Sequence, residues 1–278
     1  RGVRGAGQGR RCGGRGADVI IREERIGNQR LILGDCLQVM PTLGRFDAVF
    51  ADPPYSSGGQ FRGDRTGATS AKYQSTESRG IYGEFAGDTR DQRAYAHWSA
   101  IWTGLALRLT RPTGLLVCFT DWRQLPTTTD AIQSGGWVWR GIAAWDKTEA
   151  ARPQKGRYRN QCEYAVWGSA GACADEGICA PGVFRYSVAS EEKHHIAGKP
   201  AQLYQDMLAI CGNEILDPFM GSGTTLVACQ RMGRAGTGIE LDPGYFDIAC
   251  RRVDEAARQP DLLIPETRQA PKQEAMDI

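Results

Sequence analysis

Two short motifs hold the residues best suited to chemistry: Asp52-Pro53-Pro54-Tyr55, and, far downstream, Asp217-Pro218-Phe219-Met220-Gly221-Ser222-Gly223. Each motif follows a short apolar run ending in an acidic residue, the layout expected where buried parallel strands deliver polar groups to the carboxyl edge of an open sheet. Both therefore point to one cleft. An exocyclic amine on a nucleobase is a poor nucleophile because its lone pair is delocalised into the ring. Acceptors aimed at its hydrogens favour the pyramidal geometry that attacks carbon, and Asp52 and the Pro53 carbonyl are such acceptors. Pro53 and Pro54 stiffen the backbone and remove two competing amide donors, as a preorganised acceptor requires. Such a base has to leave its stack to be reached, and Tyr55 offers it an aromatic face. On its own the tetrapeptide reads about equally well as a rigid surface turn. Its place directly after Val49-Phe50-Ala51 favours the site.

In the second motif, Gly221 and Gly223 allow a ligand to approach the backbone, and a helix starting near Ser222 and Thr224 would present unpaired amides. A triphosphate loop would need Lys after the last glycine, where Thr224 stands, and a dinucleotide fold would want a third glycine where Leu226 stands. Glu240, at the end of the next apolar run, could still accept bonds from ribose hydroxyls. S-adenosylmethionine fits this pattern, having an adenosine but no phosphate. It needs a carboxylate for the ribose, a glycine turn for its amino-acid tail and an apolar slot for adenine. Asp217, Phe219, Gly221, Gly223 and Glu240 supply these.

The elements that must position these residues alternate between strand and helix. Strands are expected at residues 31–34, 46–51, 114–120, 137–145, 161–167, 214–216 and 235–239, and helices at 36–43, 91–109, 121–134, 200–210, 224–231 and 243–257. The strands at 137–145 and 161–167 should form a long antiparallel hairpin at a sheet edge, with 146–160 as its connection. Residues 1–18, rich in Gly and Arg, read as a disordered extension, 19–258 as a single domain, and 259–278 as a flexible tail. Two insertions, near 56–93 and 146–196, carry basic residues suited to phosphate contact: Arg62, Arg65 and Lys72 in the first, Lys155, Arg157, Arg159 and Asn160 in the second. For each insertion alone, a solvated charged surface is an equally good reading.

At 278 residues the chain can bury a large α/β core, and its net charge of +2 neither demands nor excludes a nucleic-acid partner. Nine scattered cysteines without a preceding secretory signal suggest reduced thiols and a cytoplasmic protein. No run approaches the roughly 20 apolar residues of a membrane span. Cys162, Cys173, Cys179, His194 and His195 could be drawn as a metal site, but without a tight Cys-x-x-Cys pair no metal is expected.

From Leu31 to Val253 the sequence resembles the beta group of amino-methylating DNA methyltransferases, in which the catalytic motif precedes the cofactor motif. The resemblance implies a Rossmann-like α/β fold with a mainly parallel sheet, an antiparallel edge hairpin and permuted motif order. It implies S-adenosylmethionine as cofactor and DNA as partner, and leaves room for a homodimer and a cognate restriction endonuclease. By similarity, Gly34-Asp35-Cys36 assigns Asp35 to the cofactor's adenine, and His195 through Pro200 places Lys199 facing the cofactor carboxylate. Arg157 through Tyr164 is similar to the segment near the target base, with Arg159, Asn160 and Glu163 as contacts. Within that family, Asp before Pro-Pro-Tyr leans toward N6 of adenine and Ser toward N4 of cytosine. The expected activity is methylation of adenine N6 in DNA, with cytosine N4 as the alternative and a catalytically inactive DNA-binding module as a more distant one.

Overall fold

The computed structural model describes residues 19–55, 90–151, 155–174, 177–187 and 199–258. The Gly/Arg-rich extension, most of the first insertion with Arg62, Arg65 and Lys72, the pair His194 and His195, and the tail lie outside the described residues.

Nine strands form one sheet among the described residues: β1 (Arg22–Ile26), β2 (Gln29–Leu33), β3 (Phe46–Ala51), β4 (Thr110–Thr120), β5 (Val138–Asp146), β6 (Cys162–Ser169), β7 (Val183–Arg185), β8 (Glu214–Asp217) and β9 (Ala235–Glu240). Their order across the sheet is β1-β2-β9-β8-β3-β4-β6-β5-β7. The run β2-β9-β8-β3-β4 is parallel throughout, while β1 against β2 and the hairpin β5/β6 against β4 are antiparallel. The helices are α1 (Cys36–Val39), α2 (Gln92–Arg108), α3 (Leu125–Ser134), α4 (Ala201–Leu208), α5 (Thr224–Arg231) and α6 (Pro243–Arg258).

Successive residues of a strand point to opposite faces, and here both faces are covered. From β3 and β4, Val49, Ala51, Leu116 and Cys118 pack with Trp102 and Ala106 of α2 and Ile132 of α3. The alternate residues Ala48, Phe50, Val117 and Phe119 pack on the other face with Leu203, Tyr204 and Met207 of α4 and Ala228 of α5. Leu31 and Leu33 of β2 continue that second face with Phe246, Ala249 and Val253 of α6. Burial on both faces is why these strands read as continuous apolar runs.

Several boundaries depart from the sequence expectation. The helix at 36–43 stops at Val39, and Met40–Thr42 forms a 3-10 turn with Pro41 in its first turn. The helix at 121–134 starts only at Leu125, because the Asp121 carboxylate accepts from the amides of Arg123 and Gln124 and holds a turn there. Two strands, β1 and β7, have no counterpart among the strands the sequence predicts. The hairpin lies toward the expected end of the sheet, but β7 pairs with β5 and takes the outermost place.

Candidate active site

The register of β3 against β8 brings the two motifs together. Ala48 lies beside Ile215 and Val49 beside Leu216 in parallel pairing, so Asp52 and Asp217 leave the sheet at the same edge on neighbouring strands.

On the cofactor side, the turn from β8 into α5 is held by its own polar groups. Asp217, buried at 2 % exposure, turns its carboxylate inward to accept from the Phe219 amide at 2.9 Å and from the Thr225 hydroxyl. Burial pushes its carboxyl up to about 7 against these two bonds. Asp217 thus shapes the turn rather than facing a ligand. Gly221 and Gly223 adopt φ of +51° and +82°, left-handed conformations that favour glycine. A Cβ at Gly221 would meet nothing within 4 Å, so there is open space beside the turn, whereas one at Gly223 would stand 3.0 Å from Ala249 of α6. Ser222 and Thr224 are buried, and their hydroxyls accept from the Arg252 guanidinium at 2.8 and 3.2 Å, which ties them to α6.

Glu240, at the tip of β9, accepts from the amides of Leu241 and Asp242 on Oε1 and from Gly221 on Oε2 at 2.9 Å. Burial raises its pKa against the pull of those three amides. A carboxylate offers about four acceptor positions, so roughly one remains for a ribose hydroxyl. Asp35 caps α1 by accepting from the Leu37 amide at 2.9 Å, and the Gly34 amide bonds the Glu240 carbonyl, so the β2 and β9 tips lie side by side. Phe219 rests against Trp98 and Trp102 of α2, ring centroids 5.3 and 5.1 Å away, and the Arg90 guanidinium lies over Trp98 at 4.1 Å. Half-buried Phe219, Trp98, Leu37 and Ile20 pack against one core cluster, Phe219 two residues from Asp217 and Leu37 two from Asp35, and form an apolar flank. Open space at Gly221, an oriented carboxylate and that flank fit an adenosine bearing an amino-acid tail. Nothing in the sequence singles out Arg90 or Trp98 for this site, since Trp98 looks like any helical core residue.

On the acceptor side, Asp52 accepts on Oδ2 from the Lys199 ammonium and from the Tyr204 hydroxyl at 3.3 Å. Among the described residues both bonds fall on that one oxygen, so Oδ1 faces no protein donor. Lys199 keeps 3 % exposure, lies 3.6 Å from Oε2 of Glu163, and sits 4.7 Å from the Phe119 ring centroid. Glu163 in turn accepts from Lys147 at 3.2 Å and from the Tyr55 hydroxyl at 3.4 Å. Burial alone would lower the Lys199 pKa, but Asp52 and Glu163 together raise it. For Glu163 burial pushes upward and the two lysines prevail, holding it below the usual carboxylate range. Burial, aided by Glu163, holds Asp52 above that range against the pull of Lys199. Lys199, expected at the cofactor carboxylate, instead pairs with Asp52 and Glu163. Tyr204, missed in sequence because it falls on the apolar face of α4, completes that group.

Lys155, Arg157, Arg159 and Asn160 are exposed in the connection between β5 and β6. The Arg159 guanidinium donates to the carbonyls of Glu149 and Ala151, closing that connection on itself. Among the described residues no group of His, Cys, Asp and Glu could hold a metal, and no helix is long and apolar enough to cross a membrane.

Comparison with known proteins gives the family and the fold. A family model described as DNA methylase, of the N6/N4 group, matches residues 46–174 and 180–251. YubD of Escherichia coli (strain K12), a methylase by name, is 28 % identical over 249 residues, covering 85 % of this chain and 98 % of that protein. In fold the chain is similar to M1.HpyAVI in its complex with SAM, with a TM-score of 0.60, 21 % identity, and 81 % and 99 % of the two chains covered. It is also similar to the PvuII cytosine-N4-specific DNA methyltransferase, with a TM-score of 0.62, 15 % identity, and 82 % and 86 % covered.

Proposed function

Because the chain belongs to the N6/N4 DNA methylase family, we propose that it transfers a methyl group from S-adenosylmethionine to the exocyclic N6 of adenine in DNA, on a base turned out of the duplex. The observation that carries this reading is the parallel pairing of β3 with β8, which sets Asp52 and the Gly221–Gly223 turn on adjacent strand tips. When bound, S-adenosylmethionine supplies a methyl group made electrophilic by its sulfonium sulfur. Glu240 and Asp35 would hold the adenosine, Phe219 and Trp98 would flank its adenine, and the Gly221 turn would leave room for the tail.

Oδ1 of Asp52 and the Pro53 carbonyl accept the two amine hydrogens and direct the nitrogen lone pair outward. The proton that the amine sheds on gaining the methyl group would pass to Asp52, whose raised proton affinity suits that role. Lys199 and Tyr204 fix the other oxygen, so the carboxylate is oriented before the base arrives. Tyr55, steadied through its hydroxyl by Glu163, carries the extruded ring. Asp rather than Ser at position 52 supports adenine over cytosine.

The test is nucleoside mass analysis of hydrolysed DNA from a host expressing the protein. N6-methyladenine above the empty-vector level is expected. Methyl groups confined to cytosine N4 would overturn the adenine assignment, and no methylated nucleoside of either kind would overturn transfer to DNA.

A further inference from the structure

Tyr158 is 98 % exposed, the most open of the large apolar side chains among the described residues. A lone surface aromatic needs no explanation, but this one has a particular setting. It stands in the β5–β6 connection, flanked by exposed Lys155, Arg157, Arg159 and Asn160. Both legs of the connection are fixed. Gln161 donates its side-chain amide to Asp146 at 2.7 Å, the Lys147 amide bonds the Gln161 carbonyl at 2.9 Å, and the Thr148 amide bonds Asp146 at 2.8 Å. Arg159 ties the middle to Glu149 and Ala151, so the tyrosine is presented on a braced loop.

That loop leaves the sheet at the edge holding the site. In the antiparallel register of β4 and β6, Thr120 lies beside Tyr164, which brings the start of β6 to the carboxyl tip of β4. Glu163, next in the chain, touches both Tyr55 and Lys199. Five steps along the chain lead from Tyr158 to Glu163, so their Cα atoms are at most about 18 Å apart.

We propose that Tyr158 is a DNA wedge: its ring enters the duplex where the target base leaves and stacks in the gap, while Lys155 and Arg157 contact phosphates on either side. The proposal rests on the base-extruding reading given above. An extruded base leaves its neighbours unstacked, and an aromatic ring makes good part of that loss without regard to sequence. Arg and Lys alone would position the backbone but could not fill the gap.

The test uses the full chain and a duplex carrying its recognition sequence, identified by sequencing modified bases in the expressing host. Tyr158→Ala and Tyr158→Phe are compared with wild type on the matched duplex and on one with a mismatched base opposite the target, where unstacking is already easier. The expected result for Tyr158→Ala is a loss of about 10- to 100-fold in kcat/KM on the matched duplex, with a clearly smaller loss on the mismatched one and Tyr158→Phe near wild type. Unchanged kinetics for Tyr158→Ala, or equal losses on both duplexes, would overturn the wedge alone. Absence of any modified base in the DNA of the expressing host would defeat the parent reading and the wedge with it.

Discussion

On the cofactor side, Asp217, Phe219, Gly221, Gly223 and Glu240 come from one strand–helix–strand unit, and the two carboxylates bond mostly to backbone amides of their own turns. On the acceptor side, Asp52, Glu163, Lys199 and Tyr204 come from three segments as far as 152 residues apart, and their bonds run between charged or hydroxylic side chains. The first region is shaped locally, by left-handed glycines and short loops. The second exists only when β3, β6 and α4 are assembled, and it depends on a balance of buried charge. The cofactor turn should therefore respond to backbone changes, and the acceptor cluster to changes of charge.

The largest effect should come from Lys199→Met, which leaves two enclosed carboxylates without their shared cation. Breaking a buried ion pair in this way costs about 3–5 kcal/mol of stability, and the denaturant midpoint should fall accordingly. Because Asp52 and Glu163 raise the Lys199 pKa, its contribution is complete below the unfolded value of about 10.4 and is lost as pH climbs through the raised folded value. Wild type should lose stability in that alkaline window and the variant should not. Equal stability of the two proteins at neutral pH would contradict the charge-balanced cluster.

Next in size is Glu163→Gln, which keeps the shape but removes the charge that faces Lys147 and Lys199. A loss of about 1–3 kcal/mol is expected at neutral pH. Glu163 titrates below its usual value, so its contribution is present above the unfolded pKa of about 4.3 and disappears as pH falls through the lowered folded value. Acid unfolding followed by circular dichroism should show a shallower loss in the variant over that window. An acid limb as steep as that of wild type would remove Glu163 from the network.

Smallest is Gly223→Ala, which tests the other region. A left-handed residue with a Cβ costs roughly 1–2 kcal/mol, and here that Cβ also presses on Ala249. A lower Tm and weaker S-adenosylmethionine binding by calorimetry are expected, with the Lys199 and Glu163 pH responses unchanged. Unaltered affinity would separate this turn from the cofactor.

The same contrast explains what the sequence revealed. Phe46–Ala51 and Thr224–Arg231 have the bounds that the sequence predicts, because strong apolar patterning and a glycine turn fix them locally. β1, Arg-Glu-Glu-Arg-Ile, escaped notice because an exposed edge strand carries no apolar alternation, and β7 is three residues inside an irregular stretch. Asp217 was visible as an acidic strand end, but the residue type does not say which way a carboxylate turns. That Lys199 meets Asp52 and Glu163 depends on three chain segments packing at one strand tip, and no local spacing encodes it. Tyr204 and Trp98 carry the periodicity of core residues, which is also what their rings do.

The most direct test is the position of S-adenosylmethionine in crystals of the protein soaked with it. Its ribose and tail should lie along Glu240 and Gly221, with the sulfonium methyl directed at the open Oδ1 side of Asp52. A cofactor seated on the opposite edge of the sheet, or with its methyl turned away from Asp52, would contradict the convergence of the two strand tips on one reaction.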